Sequence, residues 1–343
     1  MLNLRRKTRK KLLRVLIADA IFVSMWTLVA VALGSNAQRG FFGALIIGFI
    51  YGLYEEFYVQ SPRGAWLTRH SVLFEFVVNI LVVSLLLLTV MNFNHILLLK
   101  FEHIDEAYRR LPVVLPVLIL FSIVLLTVLR VIGYIGLRNI LYLMIGKYRR
   151  PVVEQRLFLF LDMKNSTETA RTLGPTRTRE LIGKMFFDIS DVLIDYGGEI
   201  YRYTGDGLVC TWPYLAKQDL DFLPKAICDV VDAVNREAGY YQAEYGHVPS
   251  FRVGVHAGPI VVCEEGDLKR AIGYYGETIH IAARLEQEAR ESDHDCLISE
   301  SVARQIRHSC LPMHALGELS IRGFESPISV FALDILANSD CNG

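Results

Sequence analysis

Four stretches in the first part of the chain, 15–33, 41–59, 71–93 and 113–134, carry almost no polar residue. Each is close to the ~20 residues that an α-helix needs to cross ~30 Å of hydrocarbon, so residues 1–134 read as a four-helix membrane domain. Residues 135–150 continue as a helical connector, which Pro151 ends. Beyond it the pattern changes. Short strand-like runs alternate with helix-like periodicity through residue 335, which predicts an α+β unit, and residues 336–343 form a tail. Within that unit, residues 156–161 (Arg-Leu-Phe-Leu-Phe-Leu) read as a buried strand that ends at Asp162. A helical pattern follows Asn165, Ser166 and Thr167. Residues 197–210 read as strand, tight turn and strand, with Gly205 and Gly207 on either side of Asp206.

Composition supports the division. The 343 residues are 52% hydrophobic and 21% charged, with mean hydropathy +0.32, which excludes a disordered chain and is greasy for a purely soluble one. Thirty-six basic residues balance 36 acidic ones, so no bulk positive charge invites nucleic acid. The balance conceals a gradient. Arg5, Arg6, Lys7, Arg9, Lys10, Lys11 and Arg14 crowd the N-terminus without an acid. With Arg63, Arg69, Arg138, Lys147, Arg149 and Arg150, they place both ends of a multi-pass inner-membrane anchor on the cytoplasmic side. Lys100, Arg109 and Arg110 in the third connection count against this orientation but are accompanied by Glu102, Asp105 and Glu106.

A signal peptide cleaved near Ser35-Asn36-Ala37 is the competing reading of the first stretch, though its 19 apolar residues exceed a usual signal core. Asp19, Glu75, Arg130 and the Glu55-Glu56 pair lie mostly near the predicted ends, where water or headgroups reach them. These acids are also the only basis for a channel or transporter reading. His70, His95 and His103 fall outside the apolar runs, which disfavours a haem held between helices. The six cysteines show neither a C-x-x-C pair nor ligand-like spacing to histidine, so they read as reduced thiols.

The candidate chemistry lies in the second unit. A carboxylate at a strand end, next to small polar residues opening a helix, sets metal-binding oxygen beside backbone N–H groups suited to phosphate. An ordinary helix cap gives the same local pattern. A second carboxylate at a hairpin tip changes the reading, because Asp162 and Asp206 converge if the two strands pair. They would then offer the hard oxygen that Mg²⁺ prefers.

These residues resemble the class III nucleotide cyclases, the adenylate and guanylate cyclase catalytic domain. The resemblance runs through residues 160–167 (Phe-Leu-Asp-Met-Lys-Asn-Ser-Thr), the Gly205-Asp206-Gly207 hairpin, residues 252–259 (Arg-Val-Gly-Val-His-Ala-Gly-Pro), residues 275–286 and residues 321–327. It covers nearly all of 151–335 and leaves the apolar part untouched. The resemblance implies a ferredoxin-like core working as a homodimer, with active sites at the subunit interface. It also implies attack of a ribose 3′-oxygen on the α-phosphorus of a nucleoside triphosphate, ATP first, to give the 3′,5′-cyclic monophosphate and pyrophosphate for cyclic-nucleotide signalling. Two Mg²⁺ or Mn²⁺ ions would be held by Asp162 and Asp206, with the Met163 carbonyl adding an oxygen. Asn165, Ser166 and Thr167 would face the phosphates. Arg284 would be the transition-state arginine supplied by the other subunit, and Arg322 would hold phosphate.

Three positions depart from the family pattern. The ribose-orienting asparagine, four residues before the arginine, is His280, which lacks the paired amide donor and acceptor. The adenine-selecting lysine position is Arg202, and its partner position is Gly273. Arg202 offers only donors and favours an acceptor-rich base edge, which keeps a pyrimidine cyclase in view. A degenerate nucleotide sensor or scaffold is the further alternative, and the presence of both aspartates and Arg284 weighs against it.

Overall fold

The computed structural model describes residues 136–214, 219–267, 270–292, 294–320 and 327–335, and before them residues 37–59 together with scattered positions between 12 and 127. The chain divides into two compact units, Met1–Ile140 and Leu141–Gly343.

In the first unit, helix α1 (Ala37–Tyr54) runs on into a single π-helical turn, Glu55–Val59. Gly48 and Gly52 sit one turn apart, where a Cβ would come within 2.1 Å of Asp19 Oδ1 and 2.8 Å of Val15 Cγ1. Small residues at that spacing let helical segments approach closely. Asp19 and Glu56 are buried, against the expectation for these two acids that water or headgroups reach them. Large apolar side chains face outward instead, among them Leu28, Phe42, Leu81, Leu85 and Leu120. Among the described residues, no helix is long and apolar enough to cross a membrane. The apolar stretch 41–59 is described, 15–33 and 71–93 are described in part, and 113–134 falls largely outside the described residues, while Glu75, Arg130 and the tail 336–343 lie outside them.

The second unit is built on one mixed sheet. Helix α2 (Leu137–Met144) leads toward β1 (Val152–Met163), which is followed by α3 (Ser166–Leu173), α4 (Pro175–Asp195), β2 (Glu199–Thr204) and β3 (Gly207–Pro213). Then come α5 (Phe222–Arg236), α6 (Ala238–Tyr245), β4 (Phe251–Glu265), β5 (Ala271–Tyr275) and α7 (Glu277–Glu291). The chain closes with β6 (Cys296–Ser299), α8 (Glu300–Ala303), β7 (Met313–Leu319) and β8 (Ile328–Leu333). The strand order is β2-β3-β1-β4-β6-β8-β7, with β5 paired to β4. The first four strands are antiparallel neighbours in the order β2-β3-β1-β4, with helices between β1 and β2 and between β3 and β4, so the ferredoxin-like core expected from the resemblance is present. β6 joins β4 in parallel.

The period-two alternation of β1 explains its position at the centre. Leu157, Leu159 and Leu161 point to one face, where Leu181, Met185 and Ile189 of α4 and Leu223 and Ile227 of α5 cover them. Phe158 and Phe160 point to the other, toward Ala282 of α7 and Tyr274 of β5. A strand buried on both faces reads as a continuous apolar run, which residues 157–161 do. Arg156, at the start of that run, is 1% exposed and is held by Glu154 at 2.9 Å and Glu199 at 3.1 Å. A buried charge paired twice is tolerated where a lone one is not.

α7 lies tightly on the sheet because β4 offers a glycine beneath it. A Cβ at Gly254 would stand 2.2 Å from the Glu286 amide nitrogen and 2.5 Å from the Ala282 carbonyl oxygen. Gly183, inside α4, has nothing within 4 Å of that position. We therefore expect Gly254→Ala to lower stability by about 2 kcal/mol or more, through forced displacement of α7. Gly183→Ala should raise it by about 0.5–1 kcal/mol through helix propensity. Urea unfolding of both variants measures the difference in sign.

Candidate active site

Asp162 is the penultimate residue of β1, on the strand face that carries Phe158 and Phe160, and pairs with Gly207 on one side and Arg252 on the other. Gly207 opens β3. A Cβ there would meet the Leu161 carbonyl oxygen at 2.5 Å and Asp162 Oδ1 at 2.8 Å. The absence of that carbon lets the Asp162 carboxylate lie over the hairpin. Gly205 takes φ +66°, a left-handed value that suits glycine and turns the chain so that Asp206 sits at the tip. The Met163 amide donates to the Asp206 carbonyl at 3.3 Å, and Arg179 of α4 donates to the Gly205 carbonyl at 3.0 Å, which ties the tip to β1 and α4.

The carboxylates reach one another electrostatically. Burial, and then the negative charge of Asp206, hold the Asp162 carboxyl above its ordinary range, while Arg290 opposes them. Arg290 of α7 donates from Nη2 to Asp162 Oδ2 at 2.9 Å. A third acid stands close by. Glu286 is 8% exposed, its Oε1 has no hydrogen-bond partner, and burial with the charge of Asp162 pushes its carboxyl up to about 7. Arg290 and Arg252 offset part of that rise. Burial first, and a neighbouring negative charge second, raise both Asp162 and Glu286, and a bound cation would offset that cost. Among the described residues no group of three or more metal-ligating side chains assembles, so Asp162 and Asp206 would supply only part of a coordination shell. That fits Mg²⁺ or Mn²⁺, which take few protein carboxylates and complete their octahedra with water and phosphate.

Just beyond the aspartates α3 begins. Asn165 adopts φ 56°, the described non-glycine residue with positive φ, and precedes the first turn of α3 without capping it through its side chain. Its carbonyl accepts from the Thr169 amide and hydroxyl, which starts the helix. Ser166 and Thr167 belong to that first turn, whose N–H groups have no partners within the helix.

The other expected residues lie elsewhere. His280 and Arg284 are exposed on α7, and Arg284 donates to Gln287 at 2.6 Å. At about 100° per residue, Glu286 lies roughly 200° around the helix from Arg284, so the face bearing His280 and Arg284 looks away from the protomer's own aspartates. Arg202 is exposed on β2 and lies over the Tyr201 ring at 5.1 Å, where a bulge shifts the strand register. Tyr201 meets Tyr274 at 4.8 Å. Gly273 is buried in β5, and the room that a side chain would take is filled by Tyr275, whose Cε2 would be 2.7 Å from an added Cβ. The position is thus filled within the protomer. Arg322 lies outside the described residues.

Sequence reasoning did not single out Glu286 or Arg290. One signal was available: in the helix of residues 277–291, Glu286 falls among the positions of Ile281, Ala282, Leu285 and Ala289, which form the buried stripe.

The ferredoxin-like sheet thus carries both aspartates at one edge, with the start of α3 beside them. The family model of the adenylate and guanylate cyclase catalytic domain matches residues 152–334, and the chain belongs to that family, the class III nucleotide cyclases. It is 37% identical over 208 residues to adenylate cyclase 2 of Rhizobium meliloti, a match that covers 60% of this chain and 57% of that one. An uncharacterized protein of Mycobacterium tuberculosis is 24% identical over 174 residues, covering 51% of this chain and 40% of its own. The chain thus spans about half the length of the curated relatives it matches. Its fold is similar to that of a bacterial light-regulated adenylyl cyclase, with TM-score 0.55, 18% identity and coverage of 65% and 67% of the two chains.

If Asp206 serves ligand binding at the expense of stability, Asp206→Asn should leave the metal-free protein as stable as the parent or about 0.5–1 kcal/mol more so. It should also lose the rise in melting temperature that Mn²⁺ gives the parent. Thermal unfolding in EDTA and in Mn²⁺ reads both effects.

Proposed function

We propose that this protein is a membrane-anchored adenylate cyclase that works as a homodimer. The observation that carries the reading is the division of the candidate residues between two surfaces of one protomer: Asp162 and Asp206 at one edge, His280 and Arg284 on the outward face of α7. A complete site then needs a second copy, whose α7 turns toward the first copy's aspartates. Adenine as the base is supported by the name of the relative at 37% identity.

In the proposed reaction the ribose 3′-oxygen attacks the α-phosphorus. Its proton passes to solvent water, the bond from the α-phosphorus to the bridging oxygen of the β-phosphate breaks, and pyrophosphate departs with the electron pair. Asp162, Asp206 and the Met163 carbonyl would hold two Mg²⁺ or Mn²⁺ ions, which make the 3′-oxygen easier to deprotonate and offset charge on the leaving phosphates. The start of α3, with Asn165, Ser166 and Thr167, presents N–H groups to the phosphates. Arg284 of the second copy meets the charge that develops on the phosphoryl oxygens. One turn earlier on the same face, His280 donates a single hydrogen bond to the ribose. Arg202 reads the base edge, and Arg322 meets phosphate.

Purified protein offered ATP, GTP, CTP and UTP together should yield cyclic AMP, identified by mass. Cyclic UMP or CMP as the main product would replace adenine by a pyrimidine, as the donor-only side chain of Arg202 allows. Absence of every cyclic product from a folded dimer would leave a nucleotide-binding scaffold. Asp162→Ala and Asp206→Ala should abolish turnover, and Arg284→Ala should lower kcat by about 100- to 1000-fold. A 1:1 mixture of the Asp206→Ala and Arg284→Ala proteins should recover about a quarter of parental activity, because each mixed two-fold dimer keeps one intact site. No recovery after subunit exchange would overturn the shared site.

The anchor reading rests on the outward apolar side chains of the first unit, such as Leu28, Phe42, Leu81, Leu85 and Leu120, whose burial in lipid removes apolar area from water. Full-length protein should stay in the membrane pellet after an alkaline carbonate wash. Its release into the supernatant would exclude spanning helices.

A further inference from the structure

Arg290 stands where a cation is wanted. Its Nη2 donates to Asp162 Oδ2 at 2.9 Å, and its side chain is 58% exposed while that of Asp162 is 17% exposed. The guanidinium therefore reaches the carboxylate from solvent and can withdraw into it. Asp162 Oδ1 is the oxygen directed over Gly207, next to the hairpin of Asp206. The two oxygens of Asp162 thus have separate surroundings, one toward the second aspartate and one toward Arg290.

Two divalent ions between Asp162 and Asp206 can be divided over the two oxygens of Asp162. One ion can sit on Oδ1 with Arg290 in place; a second on Oδ2 displaces the guanidinium. Without metal, Arg290 supplies positive charge to a group that includes Asp162, Asp206 and the buried Glu286. With one ion bound the need for that charge falls, and with two it is gone.

We propose that Arg290 is a built-in counter-ion that occupies the second metal position of the protomer's own Asp162 and leaves when the second divalent ion binds. This rests on the two-metal reading of the site. Arg290 is a positioning residue here: it acts through Asp162, and its place on α7 differs from that of Arg284. Its consequence is separation of the two binding events, so that the second ion binds more weakly than the aspartates alone would allow. Exchange of an exposed ion pair for a metal bond sets the size of the effect at about two- to fivefold in affinity for the second ion.

The test is a titration of the full-length protein in detergent with MnCl₂ alone, followed by the electron paramagnetic resonance signal of free Mn²⁺. The parent should bind two ions per protomer in unequal classes. Arg290→Gln should tighten the weaker class about two- to fivefold and leave the stronger class unchanged. Arg290→Lys, which keeps the charge, should remain near the parent. Melting in EDTA confirms that each variant is folded, and the added stability on saturation with Mn²⁺ should be larger for Arg290→Gln than for the parent. A weaker class that is unchanged or loosened in Arg290→Gln overturns the counter-ion role while the two-metal reading stands. Binding of fewer than two ions to both proteins overturns that reading and the counter-ion role together.

Discussion

The site depends on how closely β1 and β3 approach at one point. Asp162 and Gly207 are register partners, and the space of the missing side chain at 207 is taken by the Leu161 carbonyl and the Asp162 carboxylate. Any Cβ there would push the strands apart or turn the carboxylate out. Two acids 44 positions apart in sequence are thereby held within each other's field, and that repulsion is the standing charge that a cation would relieve.

A second close approach brings α7 into the same neighbourhood. Gly254 lets the helix backbone lie directly on β4, which aims Glu286 and Arg290 at the aspartate edge. The helix then has two working faces. One bears Glu286 and Arg290 and serves its own protomer, and the other bears His280 and Arg284 and looks outward. The proposed dimer follows from this division, since residues about 200° apart on a helix cannot reach one small ligand. The rest of the unit supports the geometry: both faces of β1 are buried, so the strand that carries Asp162 has little freedom to slide or tilt.

Between the connector and the sheet lies a polar cluster. Tyr148 donates to Glu154 at 2.9 Å, Lys147 pairs with Glu154 at 2.7 Å, and Glu154 shares Arg156 with Glu199. The Arg156 guanidinium also lies over the Tyr274 ring at 5.4 Å. Each charge has a partner, as burial demands, and the cluster ties residues after α2 to the base of the strands that carry Asp162 and Arg202.

Much of this was legible along the chain because it depends on local rules. A short continuous apolar run marked residues 156–161 as a buried strand; glycines on either side of an aspartate marked the hairpin; and the spacing of His280 and Arg284 placed them on one helix face. These are properties of a few consecutive residues, set by backbone sterics and side-chain direction. The roles of Glu286 and Arg290 were not legible, because a charged residue on a helix is ordinary until the surface opposite it is known. The same holds for Gly273, since nothing along the chain shows that Tyr275 fills the room beside it. Sequence alone marked the strand of residues 156–161, the hairpin at Gly205–Gly207 and Asp162 and Asp206 as candidates; tertiary structure decided which charges meet and which face of α7 belongs to its own protomer, because electrostatic fields and steric contact act through space between segments that the chain separates.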